Sequence, residues 1–172
     1  MTARYLSFDA NGNFLEIVAI DESTGASDAG KIIALDSAGL IPVSMLPSDV
    51  GLAVYEIPAS ETLAAGDFVN IWNDGGTPRV RRADASNGAG FQAHGYVNAG
   101  VTSGETASVL TDFKNTGQTG MTPGAAQFLS ATNPGRSTET APTTATHIAQ
   151  YLGVAVNATL IDVEIARPVI RA

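Results

Sequence analysis

The chain has 172 residues, of which 44% are hydrophobic and only 15% charged, and its formal net charge is −8. This acidic balance excludes an ordinary nucleic-acid partner, because such binding needs Lys and Arg to displace counterions. Cysteine is absent, which excludes a disulfide framework, a thiolate nucleophile and a cysteine-type zinc site. No signal-peptide-like core and no run of about 18 apolar residues is present, so we expect a soluble chain made in the cytoplasm, with no membrane partner.

The first predicted element is a β-hairpin. An apolar run that includes Tyr5, Leu6 and Phe8 is separated by the polar residues 9–13 (DANGN) from a second run at 14–20 (FLEIVAI). Asn-Gly favours the left-handed backbone of a tight hairpin turn. The run DANGN also resembles the start of a calcium-binding loop, but Phe14 stands where that loop requires Gly, so we predict no calcium site.

A polar connector at 21–30 (DESTGASDAG) leads into an apolar segment at 30–51 (GKIIALDSAGLIPVSMLPSDVG). Its glycines and prolines prevent one continuous helix, yet each of its aliphatic side chains would gain about 1.5–3 kcal/mol from full burial. We therefore predict an extended arm that docks on a neighbouring subunit or on another protein, with wrapping of its own β domain as the alternative. The predicted docking residues are Lys31, Ile32, Ile33, Leu35, Leu40, Ile41, Met45 and Leu46.

The acidic residues are concentrated in the N-terminal part of the chain. Residues 1–56 contain two basic and eight acidic side chains, a balance of −6, whereas residues 57–172 contain seven basic and nine acidic ones, a balance of −2. This asymmetry is typical of a solvated acidic face, or of an acidic arm that rests on a basic partner.

From residue 54 onward, short predicted strands alternate with turns. A hairpin is predicted from 67–72 and 79–82 around the turn NDGG, and further strands at 95–99, 106–110, 127–130, 151–156 and 160–165. No segment shows helical periodicity over 12 residues. The predicted fold is therefore mainly β, with an N-terminal hairpin and extended docking arm in residues 1–53 and a compact β-barrel or β-sandwich domain in residues 54–172.

Three predicted strands are preceded by similar turns that end in glycine. Gly66, Gly104 and Gly124 each stand one or two residues before a strand, in AGDFVNI, SGETASV and PGAAQFL. Glycine suits a backbone that reverses sharply. The pattern indicates either a structural repeat or the ordinary frequency of glycine before strands.

Residues capable of catalysis are present but scattered. His94 and His147 are the only histidines; no serine lies in a G-x-S-x-G frame, and we expect His94 to be structural. A polysaccharide depolymerase would need paired carboxylates and aromatic platforms, but the only Trp is Trp72. The candidate carboxylates have no spacing that brings two together: Asp67, Asp74, Asp84 and Asp112. We predict no catalytic activity, no cofactor and no metal.

One basic cluster is present, formed by Arg79, Arg81 and Arg82 on the second strand of the predicted hairpin. Strand alternation places Arg79 and Arg81 on the same face. The cluster is either part of a solvated strand or a candidate basic patch for a partner.

About two-thirds of the chain, residues 60–166, resembles a small β module of structural proteins of tailed bacteriophages. The resemblance depends on the order of GDFVNI, AHGYV, MTPGAAQFLS and YLGVAVNAT along the chain, and the segment GKI…LD..G.I..S.LP also resembles a phage sequence type. Such modules occur in head decoration (cement) proteins and in head or tail fibres.

The resemblance implies a capsid decoration protein, because the chain is short for a tail fibre and lacks a collagen-like or coiled-coil stalk. Decoration proteins typically form trimers on the outer capsid surface and lock neighbouring capsomers. The expected partners are therefore two further copies of the chain, in a homotrimer, and the major capsid protein, and the expected location is the outer capsid surface of the virion. A fibre or receptor-binding module is the alternative, and a polysaccharide depolymerase is a third.

Overall fold

The structure, a computed structural model, describes residues 4–35, 37, 39–41, 45 and 54–172. The chain is mainly β, which confirms the predicted fold class. It divides into two compact units, Met1–Gly51 and Leu52–Ala172. None of the helical segments within the described ranges has the length and apolar character needed to cross a membrane.

The first unit begins with the predicted hairpin. Strands β1 (Arg4–Phe8) and β2 (Phe14–Val18) are antiparallel and place Phe8 opposite Phe14. The Asp9 carboxylate closes the turn, because its Oδ1 accepts the backbone N–H groups of Asn11 and Asn13, each at 2.8 Å. The Asp9 Oδ2 also accepts the Asn13 side-chain amide at 3.1 Å, and these bonds, with that one the largest effect, lower the pKa of Asp9. The Asp9 carboxylate, which resembled the first ligand of a calcium loop, thus binds the backbone of its own turn.

The connector after the hairpin contains a 3-10 turn at Ala26–Asp28. Asp28 accepts hydrogen bonds from the backbone N–H (2.6 Å) and hydroxyl (2.8 Å) of Thr24, and it pairs with Lys31 at 2.7 Å. The Lys31 bond is the largest of the effects that lower the pKa of Asp28 to about 2. Beyond the turn, Ile33 forms a parallel bridge with Ile20.

The second unit consists of two five-stranded sheets and a two-stranded ribbon. The first sheet has the order β3-β7-β6-β4-β5, the second has the order β10-β9-β12-β13-β8, and the ribbon pairs β11 with β14, all antiparallel. The strands are β3 Val54–Pro58, β4 Phe68–Asp74, β5 Thr77–Arg82, β6 Gly95–Val97, β7 Thr106–Leu110, β8 Asp112–Asn115, β9 Ala126–Leu129, β10 Ser137–Thr138, β11 Ile148–Ala149, β12 Tyr151–Asn157, β13 Leu160–Glu164 and β14 Val169–Ile170.

The first sheet curls until its two edge strands meet. Ala59, directly after β3, forms a parallel bridge with Val80 of β5. The backbone N–H of Ser60 donates to the Val80 carbonyl at 2.8 Å, and the Ser60 hydroxyl donates to the same oxygen at 2.9 Å. This contact covers part of both edges, which removes backbone groups that would otherwise pair with another chain.

The central part of the curled sheet is buried on both faces. Adjacent residues Phe68 and Val69 of β4 are both fully buried, although they point to opposite sides. Phe68 belongs to the core between the sheets: Phe68, Ala83, Ala85, Ala93, Tyr96, Leu110, Met121, Leu129, Ile148, Leu152, Ala155, Ile161 and Val163. Val69 belongs to a smaller core inside the curl: Ile57, Ala59, Leu63, Val69, Val80, Val97, Ala107 and Val109.

The predicted faces of the last long strand are confirmed. In β13, Ile161 and Val163 are buried and Asp162 and Glu164 are exposed. Ile165, just beyond the strand, is half-buried and packs against the core between the sheets.

The three glycine turns form a structural repeat. In each, the glycine has a positive φ (83°, 92° and 82° for Gly66, Gly104 and Gly124) at the third turn position, as a type II turn requires. The first-position carbonyl accepts the N–H of the fourth residue at 3.0–3.1 Å, and the glycine N–H donates to a neighbouring backbone carbonyl at 2.7–2.8 Å. Each turn therefore both reverses the chain and attaches it to the adjacent backbone.

Two further copies of this turn were not predicted. Gly135 (φ 79°) precedes β10, and its N–H donates to the Ala83 carbonyl at 2.8 Å. Thr146 (φ 69°) takes the glycine position before β11, and its N–H donates to the Arg171 carbonyl at 2.9 Å. The Pro-Gly pair at 134–135 was a usable signal for the first of these, whereas the second lacks glycine and gives none.

Candidate docking surfaces

The predicted docking arm presents its apolar side chains to solvent. Among the docking residues that the structure describes, five aliphatic ones are between 46% and 63% exposed: Ile32, Ile33, Leu35, Leu40 and Ile41. Met45 is half-buried. Lys31 is exposed and pairs with Asp28, and Leu46 lies outside the described residues. The described part of the arm is therefore apolar and exposed.

The hairpin presents a second apolar surface, which sequence reasoning missed. Phe14 is 74% exposed, Leu6 67% and Phe8 65%, and the rings of Phe8 and Phe14 lie 4.9 Å apart. The run FLEIVAI was a signal for this surface, because its apolar residues occupy both faces of a strand and one hairpin cannot bury both.

None of the described residues of the first unit is buried, whereas the second unit contains both cores. A soluble domain usually removes most of its large aliphatic and aromatic side chains from water. The first unit does not do so by itself, and an isolated two-stranded hairpin is marginally stable at best. These properties are typical of a segment completed by a partner.

The basic cluster is engaged within the second unit. Arg79 lies 3.2 Å from Asp74, and Arg82 pairs with Glu61 at 2.8 Å. Burial alone would raise the pKa of Glu61, but its hydrogen bonds with Arg82 lower it overall. These contacts favour a structural role for both arginines.

Arg81 is held between two aromatic rings. Its guanidinium carbon lies 4.8 Å from the ring centre of Trp72 and 3.5 Å from that of Phe91. Its Nε donates to the Asn70 side chain at 3.1 Å and its Nη2 to the Gly90 carbonyl at 2.9 Å. Burial lowers the pKa of Arg81. Arg81 thus connects β4 and β5 with the 3-10 turn at Ala89–Phe91.

His94 is held within the fold through its ring nitrogen Nδ1. Its Nδ1 accepts the backbone N–H of Ile71 at 3.0 Å, and its Nε2 lies 2.9 Å from the Gln92 amide nitrogen. Burial lowers the pKa of His94. The Nδ1 contact requires the neutral ring, because a protonated imidazole carries hydrogen on both nitrogens.

Three of the four candidate carboxylates have structural partners. Asp67 is buried and lies 3.2 Å from Arg136, and burial raises the pKa of Asp67 despite that arginine. Asp74 pairs with Arg79, and Asp84 accepts hydrogen bonds from Ser86 and Asn87. Asp112 is exposed. Among the residues that the structure describes, no cluster of three or more His, Cys, Asp or Glu side chains is placed to hold a metal ion.

Comparisons with known proteins give no match to a family model, to a curated protein or to a solved structure. The exposed apolar surfaces of the first unit are therefore the feature from which a function can be argued.

Proposed function

We propose that this chain is a structural virion protein that binds the outer surface of a tailed-phage capsid as a homotrimer and stabilises the head lattice. The observation that carries the proposal is the exposure of the apolar side chains of the first unit, next in sequence to a unit with complete cores. The resemblance of residues 60–166 to phage structural modules supports the choice of partner, the major capsid protein.

The mechanism is binding alone. A subunit that binds the assembled lattice, and not its separated parts, stabilises the lattice by its own binding free energy. At a free concentration about 100 times the Kd, that stabilisation is about 2.7 kcal/mol for each site. Many sites on one head add their contributions, so a small protein can resist the pressure of packaged DNA without any catalytic step.

Self-association is proposed to use the second unit. Strand β8 lies at the edge of the second sheet and includes Phe113, which is 52% exposed and has a φ of 74°. A bulky residue rarely adopts a positive φ, and an exposed sheet edge with an aromatic side chain favours contact with another chain. Light scattering of the purified chain tests the trimer, and a monomer at high micromolar concentration would contradict it.

The test of location is electron microscopy of virions that carry the tagged chain. Density on the capsomers is the expected result. Density at the tail would instead favour the alternative, a fibre or receptor-binding module, because the segment at 30–51 also resembles fibre sequences.

The test of binding is co-sedimentation of the full chain with heads that lack it. We expect saturable binding and heads that withstand higher temperature before releasing DNA. Heads that neither bind the chain nor gain thermal stability would overturn the proposal.

A further inference from the structure

The hairpin of the first unit has two unequal faces, which its register defines. One face carries the opposed pairs Phe8–Phe14, Leu6–Glu16 and Arg4–Val18, and all six side chains are exposed. The other face carries the pairs Ser7–Leu15 and Tyr5–Ile17, of which only Leu15 is exposed. The first of these, here called the exposed hairpin face, is apolar at the turn end and charged at the open end.

The first unit is acidic overall, and each of its two described cations already pairs with one of its carboxylates. Arg4 lies 3.0 Å from Glu16 on the face itself, and Lys31 lies 2.7 Å from Asp28. Exposed Asp21 and Glu22 follow the hairpin. Up to Gly51 the chain has two basic and seven acidic residues, a balance of −5.

A second copy of the chain does not complement this acidic surface. Residues 52–172 have seven basic and ten acidic side chains, a balance of −3. Four of those seven basic groups are already engaged, since Arg79, Arg82 and Arg136 pair with carboxylates and Arg81 lies between two rings. A different protein with a net positive surface therefore complements the first unit better than a second copy does.

We infer that the exposed hairpin face is a docking surface for a protein partner whose matching surface is apolar and bordered by lysine or arginine. The inference rests on the proposed function and deepens it, since it assigns this surface and this chemistry to the contact with the capsid. Phe8 and Phe14 supply the apolar anchor, because aromatic side chains contribute most per residue to protein interfaces. The net negative charge of the first unit supplies orientation and faster association.

The experiment compares full-length variants in co-sedimentation with heads that lack the protein. Phe14→Thr keeps a residue that favours strands while removing the anchor, and we expect binding to weaken by roughly tenfold or more. Leu15→Thr is the matched control, because it lies in the same strand on the opposite face, and we expect little change. If both variants weaken binding equally, the hairpin contributes only through its folding and the inference is overturned.

Charge is tested at a single position. Leu6→Lys and Leu6→Glu remove the same apolar contact, and a cationic partner requires the Lys variant to bind more weakly than the Glu variant. Binding of the wild type should also weaken as salt rises from roughly 50 mM to 500 mM. Equal binding by the two variants, or binding indifferent to salt, would overturn the cationic partner.

The remaining outcomes separate the inference from the proposed function. If the wild type binds heads and Phe14→Thr binds equally well, the inference falls and the proposed function stands. If the wild type does not bind heads, both fall. If Phe14→Thr dissociates the chain to monomers, a second copy covers the face and the inference is overturned.

Discussion

Gly66 and Gly117 are in backbone contact, and the contact joins the two sheets of the second unit. A Cβ added to either glycine would lie 2.4 Å from the Cα of the other. Gly66 ends the turn before β4 of the first sheet, and Gly117 follows β8 of the second. The side-chain amides of Asn115 and Gln118 both donate to the Gly66 carbonyl, at 2.9 and 2.6 Å, and both residues are buried.

The contact between Gly66 and Gly117 leaves no room for a side chain. Gly117→Ala would drive a methyl group into the backbone of Gly66, so we expect a loss of about 3 kcal/mol in the free energy of unfolding. Gly90→Ala is the control, because nothing lies within 4 Å of its added Cβ and its φ is not positive, and it should change stability by less than about 0.5 kcal/mol. Urea denaturation followed by circular dichroism measures both. Similar midpoints for the two variants would show that the two loops can separate.

The non-glycine member of the turn repeat provides a second prediction. Thr146 has a φ of 69° and an exposed side chain. In Thr146→Gly the relief of backbone strain in the folded state should exceed the cost of a more flexible unfolded chain. We expect a gain of about 0.5–1 kcal/mol in the free energy of unfolding. Gly124→Ala is the reciprocal change in an equivalent turn with open space around the Cβ, and it should lose about 1 kcal/mol. Destabilisation by Thr146→Gly would contradict the proposed equivalence of the turns.

The repeat illustrates what the sequence could and could not reveal. Local signals predicted the first hairpin from Asn11-Gly12, three of the five turns from glycine, and the buried face of β13 from alternation. These features depend on neighbours within a few residues, where backbone preference and side-chain period decide the outcome.

Features that depend on distant residues were not predictable. Only Thr111 separates β7 from β8, yet the two strands belong to different sheets, and no turn signal marks the change. Phe68 and Val69 are both buried because the first sheet curls, which an alternating pattern does not indicate. Arg82 finds its partner in Glu61, 21 positions away, so the arginine cluster suggested a patch that the fold largely engages itself.

The candidate site was predicted in part. The arm at 30–51 followed from an apolar segment broken by glycine and proline, and its described isoleucine and leucine residues up to Ile41 are exposed. The exposed hairpin face was missed because a strand pattern alone does not show whether another part of the chain packs on that face.

His94 should make stability depend on pH. Burial lowers the pKa of His94 below its ordinary 6.5, so between that lowered pKa and about 6.5 the unfolded chain holds more protons than the folded one. The stabilisation from neutral His94 is therefore present above about pH 6.5 and is lost as the pH falls through this window. Urea titrations at several pH values should show the decline.

His94→Asn is the matched variant for this test. The Asn side-chain oxygen can take the place of Nδ1 in accepting the Ile71 N–H, and it does not titrate. We expect the decline below about pH 6.5 to become shallower in this variant. An unchanged slope would assign the pH dependence to other groups.

The faces of β13 provide a stability contrast between neighbouring residues. Val163 is buried and Asp162 is exposed, so Val163→Asp places an unpaired carboxylate in the core and should cost about 3 kcal/mol or more. Asp162→Asn should change the free energy of unfolding by less than about 0.5 kcal/mol. Thermal unfolding of the two variants measures the difference, and equal melting temperatures would refute the assignment of the faces.

Removal of residues 1–51 should separate folding from docking. Both buried cores lie within residues 52–172, and the described part of the first unit contributes no buried side chain to either of them. The shortened chain should therefore keep the β circular-dichroism signal and cooperative unfolding of the second unit while losing most of its binding to heads, because the arm and the exposed hairpin face are removed together. Co-sedimentation measures the binding, and the full chain is the control.

A truncated chain that unfolds would show that the first unit completes the core. That result would favour the alternative in which the arm wraps its own β domain. A truncated chain that folds and binds heads normally would show that docking belongs to the second unit, for example to the edge strand that carries Phe113.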